Sequence, residues 1–159
     1  MKKITIALAL CLAFITIETN AQSRDESPKS EYDAALAERL GADDYGMRSY
    51  VYVLLKTGKA DITDEKKRKE IFAGHFANMG RLAEEGLLVA AGPFDDPNGI
   101  KRGFFIYNVP SIEEAQKLVE TDPGIQSGIF DYELTKLYSS AALVMINEIH
   151  KKIQKKAIN

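Results

Sequence analysis

Tyr50-Val51-Tyr52-Val53-Leu54-Leu55-Lys56, closed by Gly58, is the stretch whose reading decides the fold. Aromatic and β-branched residues in a short run bounded by glycine specify a strand. Successive side chains on a strand point to opposite faces, so Val51, Val53 and Leu55 oppose Tyr50, Tyr52 and Leu54. Both sets are apolar, and both faces of the sheet therefore need cover. One layer of helices covers one face, and the sheet of a second subunit would cover the other. This is the argument from the residues for a homodimer. The alternative is a C-terminal helix folded back over the open face.

Working outward, Asp64 to Glu85 is predicted as a long helix with Ile71, Phe72, Phe76, Met79 and Leu82 on one face. Lys66, Lys67, Arg68 and Lys69 fall in its early, solvated turns, and Gly86 ends it. Leu87 to Ala91 is a short strand stopped by Gly92-Pro93. The loop Phe94 to Arg102 leads to a third strand, Gly103 to Val109. Ser111-Ile112-Glu113-Glu114 is a capping box that opens a helix over Ile112 to Glu120, and Asp122-Pro123-Gly124 breaks it. Phe130 to Leu137 alternates apolar and polar residues and is the fourth strand. Ala141 to Lys156 reads as one helix with a stripe of Leu143, Met145, Ile146, Ile149 and Ile153. The order β-α-β-β-α-β gives an α+β, ferredoxin-like subunit: a four-stranded antiparallel sheet with two helices on one face, plus an appended C-terminal helix.

The N-terminus has another character. Lys2 and Lys3, an apolar run from Ile4 to Ile17, and Thr19-Asn20-Ala21 have the order of a secretory signal cleaved after Ala21. The expected organisation is a signal peptide over 1–21, a polar and helical extension over 22–46, a domain over 47–138 and a C-terminal helix over 139–159. Export would be to the periplasm or the medium. The apolar run is too short to span a bilayer, so no integral membrane segment is expected after cleavage. Removal of 21 of 159 residues takes the only cysteine, Cys11, so packing or oligomerisation must stabilise the exported chain without a disulfide. The remaining 19 basic and 22 acidic residues give a formal charge of −3, which argues against nucleic acid as a partner.

Tyr50 to Leu137 resembles the YCII-related (YciI-like) family. The residues that carry the resemblance are the strand YVYVLLKTG, His75 on a helix, and Leu82-Ala83-Glu84-Glu85-Gly86-Leu87-Leu88-Val89-Ala90-Ala91-Gly92-Pro93. Arg102-Gly103, Ile112-Glu113-Glu114-Ala115, Asp122-Pro123 and Gly128-Ile129-Phe130 follow in order. The resemblance implies a ferredoxin-like subunit that pairs through its sheet into a dimeric α+β barrel, with a histidine and an aspartate in a cleft as a suggested enzymatic site. Related barrels include lyases, isomerases and cofactor-free oxygenases. The signal, the polar extension and the lysine-tailed helix lie outside the typical family pattern.

Among residues able to carry chemistry, His75 stands first. At 100° per residue it lies within the arc of Ile71, Met79 and Leu82 and should face the sheet. Imidazole ordinarily titrates near neutrality and suits general acid or base work. The plainer alternative is a structural histidine bonded to a backbone carbonyl. A base of this kind needs an orienting carboxylate. Asp122 ranks ahead of Asp95 for that role, although turn chemistry alone accounts for Asp-Pro-Gly. Arg102, Tyr52, Tyr107 and His150 are candidate substrate contacts, with surface or core roles as their alternatives. No HExxH, paired histidine, phosphate loop or GxSxG is present, so neither a metal nor a nucleotide cofactor is expected. The expectation is a cofactor-independent enzyme moving a proton in an isomerisation or elimination of a small molecule. A non-catalytic ligand-binding or structural dimer of the cell envelope is the alternative.

Overall fold

The computed structural model describes residues 31–156. The expected signal peptide, 1–21, and the first part of the polar extension lie outside the described residues.

The strand that decides the fold, β1 (Met47–Thr57), is central. It pairs antiparallel with β3 (Lys101–Tyr107) on one side and β4 (Phe130–Ser140) on the other. β2 (Leu88–Pro93) adds to β3, giving the order β2-β3-β1-β4. The register places Val51 opposite Tyr107 and Val53 opposite Phe105, so these side chains share one face. Upon them pack Leu82 of α2 (Glu65–Glu84) and Ala115 and Val119 of α3 (Ile112–Val119). Val51, Val53, Tyr107 and Val119 are fully buried. Each such large apolar side chain contributes about 1.5–3 kcal/mol of transfer free energy. The expected α+β, ferredoxin-like arrangement is thus what the chain adopts.

The other face is only partly covered. Tyr52 stacks on Phe104 at 6.1 Å, and Leu54 and Ile106 are half-buried beside them. One end of this face has local cover: Tyr50 is buried, donating its hydroxyl to the carbonyls of Ser140 (3.0 Å) and Ala141 (3.3 Å).

The C-terminal segment departs from the single helix expected over Ala141 to Lys156. A 3-10 turn, Ala141–Met145, comes first, held by the Ser140 hydroxyl at the Ala142 amide and by an Ala141 N–H to Gly46 carbonyl bond. Only then does α5 (Ile146–Ile153) begin. The turn redirects the chain, so α5 lies against the edge strand β2 and is fixed there by Asn147 Nδ2 donating to Leu88 O at 2.7 Å. The expected apolar stripe therefore does not bury as one face: Ile149 is 51% exposed and Ile153 73%. N-terminal to the sheet, α1 (Ala34–Leu40) is capped by Asp33 and ends at Gly41, whose φ of 62° is the left-handed conformation glycine adopts without strain. Among the described residues no helix is long and apolar enough to cross a membrane.

Candidate functional site

α2 begins at Asp64, whose carboxylate caps the Lys67 amide, and it runs over the covered face of the sheet. Its inward positions bring His75 to the interior beside Leu82. The imidazole sits within a box of phenylalanines: Phe130 at 5.2 Å, Phe76 at 5.3 Å, Phe105 at 6.0 Å and Phe72 at 6.3 Å between ring centroids.

One polar group reaches into that box. Asp122, with no exposed surface, sets its Oδ2 2.7 Å from His75 Nδ1. Its other oxygen, Oδ1, accepts from the Gly124 N–H at 2.7 Å. Asp122 is the N-cap of a one-turn helix, α4 (Pro123–Gln126), with Pro123 at the first helical position. Two glycines leave room for the approach. A Cβ on Gly74 would stand 3.0 Å from Pro123 Cγ, closer than ordinary contact, so the bare glycine eases the approach of α4 to α2. A Cβ on Gly124 would lie 2.6 Å from the Phe130 ring. The Asp-Pro-Gly segment read as a helix breaker is therefore a built turn that presents a carboxylate.

With Asp122 as the carboxylate acceptor, Nδ1 carries the imidazole proton and Nε2 presents a lone pair. Nε2 has no hydrogen-bond partner among the described residues. It is not one of the sealed, unpaired polar atoms there, which are Tyr107 Oη and Asn108 Oδ1. The His75 side chain keeps 9% of its surface.

The remaining sequence candidates separate. Tyr107 lies on the covered face near the pair. Burial pushes its hydroxyl well up, the Asp122 charge pushes the same way, and Arg81 pulls against both, so the phenol stays neutral. Tyr52 is on the opposite face, and burial raises its hydroxyl too. The two tyrosines therefore cannot line one pocket, because the β1–β3 register sends them to opposite sides of the sheet. Asp95 lies exposed on the β2–β3 loop and borders a 330 Å³ recess with Tyr52 and Phe94, while the carboxylate at His75 is Asp122. Arg102 is exposed at the start of β3. His150 is exposed on α5 and borders a 450 Å³ groove whose other wall includes Phe76 and Met79 of α2. Sequence reasoning missed the phenylalanine box and the two enabling glycines. The signal available was Phe72 and Phe76 flanking His75 at helical spacing, and proline directly after an N-cap type residue. Among the described residues no three His, Cys, Asp or Glu side chains cluster as a metal site would require.

Known proteins are similar to the chain over the span that holds this site. The YCII-related domain matches residues 50–137. The uncharacterized protein YjpA of Bacillus subtilis (strain 168) is 34% identical over 79 residues, 50% of this chain and 84% of that protein. Protein YciI of Escherichia coli O6:H1 is 30% identical over 93 residues, 54% of this chain and 93% of its own length. Among solved structures, the 5-chloro-2-hydroxyhydroquinone dehydrochlorinase of Burkholderia phenoliruptrix AC1100, complexed with 2,5-dihydroxybenzoquinone, is similar with 20% identity. That match covers 54% of this chain and 90% of that one, at a TM-score of 0.40. The matched span runs from the central strand through His75 and Asp122 to the fourth strand, and the chain belongs to the YCII-related domain family.

Proposed function

We propose that this chain is an exported, cofactor-independent enzyme that moves a proton on a small cyclic molecule, with His75 as general acid/base and Asp122 as its orienting carboxylate. The observation that carries the reading is the 2.7 Å contact between Nδ1 and a carboxylate with no exposed surface. That contact fixes the ring and stabilises the imidazolium that forms when Nε2 takes a proton. Returning the proton at another carbon is an isomerisation; expelling a leaving group from the neighbouring carbon is an elimination. The phenylalanine box suits a flat ring and excludes water from the proton path.

Two further parts of the reading have their own support. Pairing through the open sheet face would cover Tyr52, Leu54, Phe104 and Ile106, and light scattering of the purified chain should give twice the monomer mass. Export rests on residues 1–21; mass spectrometry of the chain recovered from a bacterial periplasm should find Gln22 first.

The catalytic reading is tested by screening cyclic ketones and enol lactones for proton exchange in D2O. His75→Ala should lower exchange by about 10²–10⁴-fold while the oligomer persists. Undiminished exchange in that variant would overturn the assignment. The depth of His75 favours a second reading, a non-catalytic ligand-binding or structural dimer, in which His75→Ala lowers stability and no exchange is ever seen.

A further inference from the structure

The first turns of α2 break a local rule. Lys66, Lys67, Arg68 and Lys69 crowd the positive pole of a 20-residue helix, where cations are unfavourable and acids are preferred. Among the described residues none of the four meets a carboxylate within ion-pair distance. Asp64 at the N-cap and Glu65 in the first turn offset only part of this charge, and the excess marks a place where something else can supply the balance.

Two of these cations border a recess of about 470 Å³, together with Phe72 and Phe76. The Arg68 guanidinium lies over the Phe72 ring at 5.9 Å, so its plane is held beside an aromatic wall rather than left in solvent. Phe72 and Phe76 are also two sides of the box around His75, at 6.3 Å and 5.3 Å. Phe72 and Phe76 thus border both the recess and the imidazole. His75 itself is only 7% exposed, and its Nε2 has no hydrogen-bond partner among the described residues. The one acid at the recess is Glu65.

We infer that this recess binds the substrate's negative charge: the ligand is a small aromatic or cyclic anion, a carboxylate or an acidic enolate, held by Arg68 and Lys69 with its ring against Phe72 and Phe76. The inference rests on the proposed role of His75 for its place in a reaction, though not for binding. Arg68 offers a planar fork for two parallel bonds to a carboxylate, and Lys69 adds a point charge. The aromatic walls favour a ring over an extended lipid or peptide.

The test uses the purified chain at low salt, with 2-naphthoate and the neutral 2-naphthalenemethanol as probes followed by amide and imidazole NMR shifts. Naphthoate should shift Arg68, Lys69, Phe72 and the His75 ring, and bind about tenfold more tightly than the alcohol. Arg68→Gln with Lys69→Gln should erase that preference without lowering the thermal melt, and Glu65→Gln should strengthen it. Equal binding of acid and alcohol, shifts confined to other surfaces, or an undiminished preference in the double variant would overturn the site. So would binding of phosphatidylglycerol vesicles in place of naphthoate, which would make the basic turn a membrane contact. His75→Ala separates this proposal from the catalytic one. It should keep the preference for the acid, so retained binding with unchanged proton exchange removes only the role of His75.

Discussion

Phe104 and Phe105 are neighbours in sequence and live in different solvents. Phe105 points to the covered face, is 3% exposed, and lies 6.0 Å from the His75 ring. Phe104 points the other way, stacks on Tyr52 and Phe94, and remains half-covered. The same contrast runs along β1, where Val51 and Val53 are sealed while Tyr52 and Leu54 are not. One face of this sheet is a finished interior holding a polar pair; the other is an apolar surface finished only at its Tyr50 end. Burial on the first side is a matter of folding; on the second it is left to the pairing proposed above.

The contrast can be broken most forcefully at Phe105. Phe105→Ala should cost about 4 kcal/mol in urea denaturation, since it opens a cavity under His75. Phe104→Ala should cost about 1 kcal/mol or less in the monomer and should instead weaken pairing in sedimentation. Equal losses at both would erase the distinction between the faces. Next comes the polar pair. Asp122→Ala strands His75 Nδ1 and the Gly124 amide and should cost about 3 kcal/mol, whereas Asp122→Asn, which keeps an acceptor, should cost less in the same denaturation series. A smaller effect of opposite sign is expected at Tyr107. Its hydroxyl is buried without a partner among the described residues, so Tyr107→Phe should leave stability unchanged or raise it by up to about 1 kcal/mol in thermal melts. A clear loss would mean that the hydroxyl is satisfied.

The smallest effect lies on the exposed loop that rims the open face. Asp96 accepts from the amides of Lys101 (2.8 Å), Ile100 (3.0 Å) and Asn98 (3.1 Å). These bonds, the Lys101 amide first and the Asn98 amide next, hold its carboxyl below the usual carboxylate range. Because the folded value is depressed, the loop's gain is present above the unfolded value of about 4 and is lost as pH falls through the folded one. Carbon NMR titration should find Asp96 ionising below the ordinary aspartate value of about 4. An Asp96 that titrates at or above that value would remove the loop's pH dependence.

Much of this was legible in the chain. Alternation in YVYVLLK announced a strand apolar on both faces, and helical spacing turned His75 inward. What stayed hidden depended on contacts between distant segments. Asp122 and Asp95 were both plausible partners because sequence spacing does not say which turn closes on α2. Only the fold shows it, with Asp122 2.7 Å from His75 and bare Gly74, 48 residues earlier, leaving room for the turn. Tyr52 and Tyr107 looked alike as strand tyrosines until the pairing of Val51 with Tyr107 sent them to opposite faces. The C-terminal helix was visible as a helix, but its direction depends on a five-residue 3-10 turn tied to Gly46.

The bond from Asn147 to the Leu88 carbonyl has a consequence for how copies of the chain meet one another. An outer strand with free amides and carbonyls is a template on which further copies can add, row upon row. By lying along β2, α5 blunts that template on one margin of the sheet. An edge covered in this way is a poorer template for fibrillar growth, a consequence distinct from any chemistry at His75.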